Sequence, residues 1–349
     1  MFPRIDALDA NRPRFPRSRG GHVESYFLRA NHPTEPKAFW LKATVMKPLE
    51  GPQIAEAWAI AFDGTRRFAT RETVPLESAH FLGSPPRIDI ADAHLHVDGE
   101  GSAKGTVKGS HGTCRFEISL RADTDAPGKP MCLLPATSMI DGPFPKSKLL
   151  TPFPSLRVSG KLETSEFAAP GPDPGSPLSF AFEDWQGMQG HNWGKEHAHE
   201  YVWGQCPFFD ATGKLCCVVE AFTARIKLGP IVSPRISALV VRTREQELRF
   251  DRLYDLWRQG AEVGELSWRL NMSNEAGRAR LSMSTSLEQI VCLGYDNPNG
   301  VRSYCVNSKL AAVSLELETS AGRQTFTSAH GGALELLSGK LDPRITRVV

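Results

Sequence analysis

One short segment concentrates the residue types that can do acid–base chemistry. Residues 183–210 read EDWQGMQGHNWGKEHAHEYVWGQCPFFD and hold three of the ten histidines and three of the seven tryptophans of the chain. Imidazole and carboxyl groups carry protons, and indole rings offer π faces that stabilise cations. The glycines among them, Gly187, Gly190, Gly194 and Gly204, let the backbone pass close to a bulky group. A turn between two strands does not require this many histidine, tryptophan and glycine residues.

The pair His191 and Trp193 suits the protonation of an alkene. That reaction needs an acid, a dry cavity and a π-rich or negative surface for the resulting cation. We expect His191 to carry the proton, Trp193 to face the cation, Asp184 or Glu183 to orient the imidazole or act as the acid, and Asn192 to hold water. On this hypothesis His191→Ala and Trp193→Ala abolish turnover and change the free energy of unfolding by no more than about 1 to 2 kcal/mol. The alternative is a packing role for both residues.

Two histidine pairs have spacing that could bind a metal ion. His197 and His199, and likewise His94 and His96, fall on one face of a strand. Neither pair has a convincing third ligand, so we predict no metal site. No GxSxG elbow or P-loop motif is present. We therefore expect no bound cofactor.

Composition excludes several classes of protein. Lys+Arg 41 against Asp+Glu 39 gives a net charge of +2, which does not favour nucleic-acid binding. No run of about 18 apolar residues occurs, so we predict no transmembrane segment. The N-terminal 21 residues lack the apolar stretch of a secretory signal and are expected to lie over the first domain. Seven scattered cysteines in apolar runs predict reduced core thiols and a cytoplasmic protein.

The elements that must position these residues are predicted to be strands. Gly 30 and Pro 26 indicate many turns, and a helical stripe is seen only weakly, over residues 245–263. The sequence contains fourteen strand-like segments, more strands than one open sheet usually holds, which predicts two antiparallel barrels. We expect a Pro/Gly-rich linker at 168–177 and domains at 1–185 and 186–349. The segments are 22–30, 38–47, 54–63, 87–98, 114–123, 155–164, 178–185, 200–209, 214–226, 235–243, 264–273, 278–293, 302–317 and 323–329.

Three stretches resemble a known superfamily. GMQGHNWG, the following VWGQC, and LGYDNPNGVRSYCVNSKLA are similar to carotenoid 1,2-hydratases (hydroxyneurosporene synthases), AttH-like proteins and, more distantly, tocopherol cyclases. The resemblance implies an all-β fold of two lipocalin-like barrels packed together. It also implies a His-x-Trp pair at the domain junction that handles protons and carbocations, matched here by His191 and Trp193. The family's further catalytic Tyr and Asp match Tyr201 or Tyr295 and Asp210 or Asp296.

The leading hypothesis is a hydratase, cyclase or isomerase that works without a cofactor on a hydrophobic molecule, isoprenoid or polyketide in type. A non-catalytic carrier or sensor of such a ligand is the alternative, since it needs only an apolar cavity. Asn307, Ser308 and Lys309 form a polar triplet inside a strand, which either faces a cavity or joins the domains. Transient membrane contact to collect the substrate and the oligomeric state stay open. We expect the substrate to contact Asn192, Trp185, Tyr201, Trp203, Tyr295 and Asn307.

Overall fold

The regular secondary structure of the computed structural model is nearly all strand. The structure describes residues 5–18, 20–83, 86–123, 126–165, 176–228, 231–252, 260–340 and 345. Among these residues no helix is both long and apolar enough to cross a membrane. The linker expected at 168–177 falls largely outside these ranges. The middle of the expected helical stripe, 253–259, falls outside them too, and its two described ends contain the strands Glu247–Phe250 and Gly260–Val263 instead of a helix. The short helical turns are the α-helix α1 (Ala7–Ala10) and 3-10 helices at Phe15–Arg17, Leu76–Ser78, Ala126–Gly128, Thr137–Met139 and Leu287–Gln289.

The strands form two large antiparallel sheets and one small ribbon. The first sheet contains β1 (His22–Asn31), β2 (Lys37–Lys47), β3 (Ile54–Asp63), β4 (Arg66–Pro75), β5 (His80–Gly83), β6 (Pro86–Ile90), β7 (Ala93–His96), β8 (Glu100–Gly109), β9 (Gly112–Ala122), β10 (Met131–Cys132), β11 (Ser147–Thr164) and β12 (Ser179–Gly194). The second contains β13 (Glu200–Phe209), β14 (Leu215–Arg225), β17 (Ile236–Thr243), β18 (Glu247–Phe250), β19 (Gly260–Val263), β20 (Ser267–Asn274), β21 (Gly277–Ser284), β22 (Val291–Asp296), β23 (Arg302–Thr319) and β24 (Gly322–Ser338), and the ribbon is β15 (Lys227–Leu228) with β16 (Ile231–Val232).

The first sheet curls until its end strand β4 meets β8 and β9. Its order is β4-β3-β2-β1-β12-β11-β9-β8-β7-β6-β5, with β10 beside β11. At the end strand β4, the Thr70 hydroxyl donates to the Gly112 carbonyl oxygen at 2.8 Å, and the Lys108 backbone N–H donates to the Glu72 carboxylate at 2.8 Å. These bonds satisfy polar groups at an edge that would otherwise be open. The predicted all-β, lipocalin-like architecture is confirmed.

The second sheet curls in the same way. Its order is β18-β17-β14-β13-β24-β23-β21-β20-β19, and β22 pairs with the first half of β23. The Asn274 amide of β20 donates to the Arg249 carbonyl oxygen of β18 at 2.9 Å, which links the two ends. The long strands β23 and β24 pair along almost their entire lengths. These two strands take part both in the second sheet and in the face that meets the first sheet.

The chain passes from one sheet to the other between Gly194 and Glu200. The expected boundary after residue 185 lies inside β12, because this strand continues nine residues beyond the predicted segment 178–185. One hydrophobic core joins Phe27 and Trp40 of the first sheet to Trp203 and Leu293 of the second. The division into domains 1–185 and 186–349 stays a prediction.

The close approach predicted for the glycines is confirmed at all four, where an added Cβ would lie within 2.6 Å of a neighbouring atom, and at two of them the neighbour is a large side chain. A Cβ on Gly190 would lie 2.2 Å from Cζ of Phe27, whose ring covers this part of β12. A Cβ on Gly204 would lie 2.3 Å from Sδ of Met283 in the core of the second sheet. These glycines make room for large side chains that pack on the strand.

Replacing Gly190 with alanine should therefore displace the Phe27 ring. We expect Gly190→Ala to lower the free energy of unfolding by about 1 to 3 kcal/mol, measured by urea denaturation. Gly339→Ala is the matched control, because a Cβ there meets open space, and its effect should stay within about 0.5 kcal/mol. Equal effects of the two substitutions would contradict the packing described here.

Candidate functional site

His191 and Trp193 lie on the inner face of the first sheet, under the N-terminal segment. His191 is fully buried, with Nδ1 2.6 Å from the Ala10 carbonyl oxygen and Nε2 2.9 Å from Oε1 of Glu24. Its ring stacks on Tyr26 at 4.2 Å between centroids and lies 4.8 Å from the Trp193 ring. Both ring nitrogens therefore lie within hydrogen-bond distance of an oxygen of the protein.

Glu24 is the centre of this cluster, and sequence reasoning missed it. Its carboxylate is fully buried and accepts hydrogen bonds from His22, His191, the Tyr26 hydroxyl and the backbone N–H groups of Arg14 and Phe15. Burial alone would raise the pKa of Glu24, but the hydrogen bonds from His191 and His22 hold it well below its usual range. Every strong acceptor site of this carboxylate is therefore used within the protein.

The His191 and Trp193 pair does not lie between the two sheets. Tyr26 stacks on His191, whereas its neighbour Phe27 contacts Trp203 of the second sheet edge-on at 5.9 Å. Successive residues of a strand point to opposite faces, so His191 and the second sheet are on opposite sides of β1. Trp193 packs with Cys132, Leu134, Leu150 and Ala10, and the Arg14 guanidinium lies 4.8 Å from its ring centre. As predicted, the N-terminal segment runs over the first sheet.

The residues expected to assist His191 lie elsewhere. Glu183 and Asp184 are exposed, and Asp184 has a positive φ of 51° and a 3.5 Å contact with Arg121. They do not orient the imidazole, because β12 carries them seven and eight residues away from it, to its outer end. Trp185 packs against Phe39, Phe180 and Phe182 in the core of the first sheet. Asn192 lies on the face of β12 opposite to His191.

A second cluster lies at the junction of the two sheets, around Glu335 of β24. The Glu335 carboxylate accepts hydrogen bonds from Lys309 Nζ at 2.7 Å and Asn307 Nδ2 at 2.8 Å, and the Tyr201 hydroxyl lies at 3.4 Å. Burial alone would raise its pKa, but the charge of Lys309 and then that of Lys42 lower it below its ordinary value. Three predicted substrate contacts, Tyr201, Tyr295 and Asn307, are thus brought together here.

Lys42 faces this cluster from β2 of the first sheet. Its ammonium lies 3.9 Å from the ring centre of Tyr295 and 5.5 Å from those of Trp40 and Trp58. It donates no hydrogen bond to any residue within the described ranges. Burial lowers the pKa of Lys42 to about 8. The cation is therefore held mainly by aromatic rings rather than by a carboxylate.

Lys42 also lines a small cavity that reaches the surface between the two sheets. The cavity has a volume of about 20 Å³, and Thr44, Glu56, His197 and Tyr295 share its wall with Lys42. That volume admits one group of the size of a water molecule. A larger ligand would enter only if the sheets separated at this point.

Trp203 connects the junction to a buried acid. Its Nε1–H donates to Oε1 of Glu220 at 3.1 Å, and the Thr151 hydroxyl donates to the same oxygen at 2.7 Å. Burial raises the pKa of Glu220 to about 7. Its Oε2 has no hydrogen-bond partner in the part of the chain that is described. Glu220 can therefore carry a proton near neutral pH.

The other polar candidates lie on the surface or hold turns. Asp210 pairs with Arg244 at 2.7 Å in the turn after β13, and Asp296 pairs with Arg302 at 2.6 Å. Across the ranges given above, no three His, Cys, Asp or Glu side chains are placed to hold a metal ion. The seven cysteines, all of which the structure describes, form no disulfide, and six of them are buried.

Charged residues in regular strands provided the signal for the junction cluster. Lys42 interrupts the apolar run AFWLKATVMK, and Lys309 belongs to the polar triplet noted above. Glu24 binds His22 and Tyr26 of its own strand, but its partner His191 lies 167 residues away in sequence. Glu335 binds Lys309, which lies 26 residues away on the neighbouring strand. These distant partners become neighbours only through strand pairing, which no local pattern reports.

Comparison with known proteins identifies the fold. No protein-family model matches the chain. An AttH protein of Nitrosomonas europaea superposes with a TM-score of 0.57 at 14% identity, over 97% of this chain and 100% of that protein. The protein has the AttH-like fold. The resemblance noted in the sequence is confirmed at this level.

Other proteins with the AttH-like fold include CghA and a kievitone hydratase. CghA has a TM-score of 0.59 at 12% identity, over 98% of this chain and 95% of its own. Kievitone hydratase of Nectria haematococca has a TM-score of 0.54 at 12% identity, over 97% and 94%. In sequence, an uncharacterized protein found in two Mycobacterium tuberculosis strains is 23% identical over 340 residues, which is 95% of this chain and 91% of the relative.

The Glu24 cluster should contribute strongly to stability. Because His191→Ala would take a hydrogen-bond partner from the buried Glu24 carboxylate and leave a cavity beside Tyr26 and Trp193, we expect it to lower the free energy of unfolding by about 3 to 5 kcal/mol in urea. This replaces the smaller change expected from the sequence. The exposed His80, changed to alanine, is the control and should shift stability by less than about 0.5 kcal/mol. A change below about 1 kcal/mol for His191→Ala would contradict this role of the contact between His191 and Glu24.

Glu220 should make stability depend on pH in a definite direction. Between its ordinary pKa of 4.5 and about 7, the unfolded chain has lost the proton while the folded protein keeps it. The folded state then binds more protons, so stability falls as pH rises through this window, by roughly 2 to 4 kcal/mol in all. We expect Glu220→Gln to remove this fall, measured as the difference in unfolding free energy from pH 4 to about 9. A pH-independent difference between the two proteins would refute the assignment.

Proposed function

We propose that the protein is an enzyme that performs cofactor-independent acid–base chemistry on a hydrophobic small molecule bound between the two sheets. The reaction is a hydration, a cyclisation or an isomerisation. The observation that supports this is the buried Lys42 ammonium, which faces aromatic rings and a cavity instead of an acceptor. Burying a charge without a hydrogen-bonded partner costs several kcal/mol, and such costs are typical of functional sites.

The junction supplies what such chemistry needs. Trp40, Trp58, Trp203 and Tyr295 give it an apolar, π-rich wall that excludes water and suits a hydrophobic ligand. Groups that hold protons surround this wall, with Lys42 on one sheet and the Glu335 cluster on the other. In a dry site these charges act on a reacting group more strongly than they would in water.

The fold of the neighbours supports the same class of reaction. Kievitone hydratase is by its name a hydratase, and its fold covers nearly all of this chain. A structure of CghA with the compound Sch210972 has a TM-score of 0.51 at 12% identity. This fold therefore accommodates both a hydratase and the recognition of a small organic molecule.

His191 and Trp193 take a positioning role in this proposal. Both imidazole nitrogens are occupied by Ala10 and Glu24, and the ring is covered by the N-terminal segment. A proton carrier needs a free nitrogen directed at its substrate. The pair instead holds this segment on the first sheet, whose opposite face lines the junction.

Activity can be sought with a panel of alkene-containing isoprenoids and polyketides, analysed by liquid chromatography and mass spectrometry. Hydration adds the mass of one water, whereas cyclisation and isomerisation change only retention. We expect Lys42→Met and Glu335→Gln to lower kcat/KM by about 10² to 10⁴ fold, the range for loss of a general acid or base. Lys340→Met and Glu100→Gln change exposed residues of the same types and should leave kcat/KM unaltered.

Binding measured by quenching of tryptophan fluorescence separates the enzyme from a carrier. A ligand that binds to the wild-type protein and is recovered unchanged, with no product detected, would show a carrier. Equal turnover by Lys42→Met, Glu335→Gln and the wild-type protein would place the reaction outside the junction.

A further inference from the structure

His197 lines the cavity beside Lys42, and one of its ring nitrogens has no partner among the described residues. Its Nδ1 lies 3.0 Å from Oδ1 of Asn297, and its backbone N–H donates to the same oxygen at 2.8 Å. The Asn297 Nδ2 group donates to the Val301 carbonyl oxygen at 3.0 Å and to Ser303 Oγ at 3.2 Å, which fixes the orientation of the amide. Because an amide oxygen only accepts, Nδ1 carries the hydrogen and Nε2 keeps a lone pair.

The Nε2 atom of His197 is buried and lacks a hydrogen-bond partner among the described residues. An unsatisfied buried acceptor costs about 1 to 3 kcal/mol, so a donor is expected to bind there. Burial, followed by the nearby charge of Lys42, lowers the pKa of His197 to about 4, which keeps the ring neutral. The ligand must therefore donate a hydrogen bond to a neutral imidazole.

The same cavity offers a donor in the Lys42 ammonium. A group that donates to His197 and accepts from Lys42 is a hydroxyl, and water is its smallest form. The volume of about 20 Å³ matches one such group. A carboxylate could not donate to Nε2, and a carbonyl oxygen could only accept.

The charges of the junction indicate which intermediate it would stabilise. Lys42, Lys309 and Arg29 are all buried here, and Glu335 is paired with Lys309. Glu56 and Asp296 line the cavity too, and burial raises the pKa of Glu56. Each has an arginine partner, with Arg71 at 3.3 Å from Glu56 and Arg302 at 2.6 Å from Asp296. Lys42 and Arg29 pair with no carboxylate among the described residues. Positive charge thus predominates, which favours an oxyanion and disfavours a carbocation.

We propose that this cavity holds the attacking water of a hydration, with His197 as its base and an alkene conjugated to a carbonyl group as the substrate class. This rests on the function proposed above and selects water addition among its reactions. It assigns His197 a catalytic role that differs from the one first expected for His191.

The step balances without a further reactant. The water oxygen forms a bond to the alkene carbon distant from the carbonyl, and the water proton passes to His197 Nε2. The π electron pair moves to the carbonyl oxygen, whose negative charge is stabilised by the Lys42 ammonium. The imidazolium then returns the proton to the other alkene carbon, which restores the carbonyl and the neutral His197. The product is a β-hydroxy carbonyl compound.

Water itself is the probe for the site. Oxygen-17 relaxation dispersion of the folded protein counts long-lived internal waters, and we expect His197→Phe to reduce the signal by the equivalent of one molecule. His197→Gln, which restores an acceptor, should recover it. Nitrogen-15 NMR of histidine-labelled wild-type protein should show the Nδ1–H form for the one resonance that His197→Phe removes.

An unchanged dispersion signal in His197→Phe, or hydrogen on Nε2 of His197 in the wild-type protein, would overturn the water site whether or not turnover has been found. In the panel of alkenes, hydration confined to conjugated carbonyl compounds, with a loss of at least 10² fold in His197→Phe and partial rescue in His197→Gln, supports the proposal. Hydration of isolated alkenes at equal rates would overturn the substrate class. A panel without any turnover bears on the function proposed above, and the water measurement then still decides the site.

Discussion

The ion pair between Lys309 and Glu335 is the interaction on which the junction depends. Both side chains lie where two curled sheets exclude water, and their atoms approach to 2.7 Å. Unpaired, either charge would cost several kcal/mol, so the strands that carry them, β23 and β24, must keep their register. The Lys309 carbonyl oxygen also accepts from Asn31 of the first sheet at 2.6 Å. Pairing within the second sheet and docking of the first are thereby coupled.

The first sheet contributes further buried polar groups to the junction. Arg29 donates to the Gly331 carbonyl oxygen at 2.7 Å and to Gln205, both of which belong to the second sheet. Such contacts need fixed geometry, whereas an apolar interface tolerates sliding. Among the residues that line the cavity, Lys42 and His197 keep hydrogen-bonding groups that no described residue uses. The position of the candidate site thus follows from how the rest of the interface is satisfied.

Alternation predicted most strands and failed where the sequence is charged or rich in glycine. RRFATRETVP forms β4 and EGSAKGTVKG forms β8, and neither shows the apolar alternation of a half-buried strand. Their place is set by neighbours on both sides, which is tertiary information. The segment 278–293 was expected to be continuous, but a 3-10 turn at Leu287–Gln289 separates β21 from β22. Fold class therefore followed from composition and period, whereas edges and breaks did not.

The candidate site shows the same limit in chemical terms. His191 stood out because histidine, tryptophan and glycine cluster within β12, yet this density reflects a closed packing unit around Glu24, a residue about 170 positions away. Tyr295 lies in YDNPNG, which was expected to form only a hairpin turn. In the structure the Tyr295 ring contacts both Lys42 and Trp58. The local sequence shows which polar groups exist, whereas pairing across the sheets decides which of them keep an unused hydrogen-bond donor or acceptor. Reactivity depends on these unused donors and acceptors, because a group whose hydrogen bonds are all satisfied by the protein has none to offer a substrate.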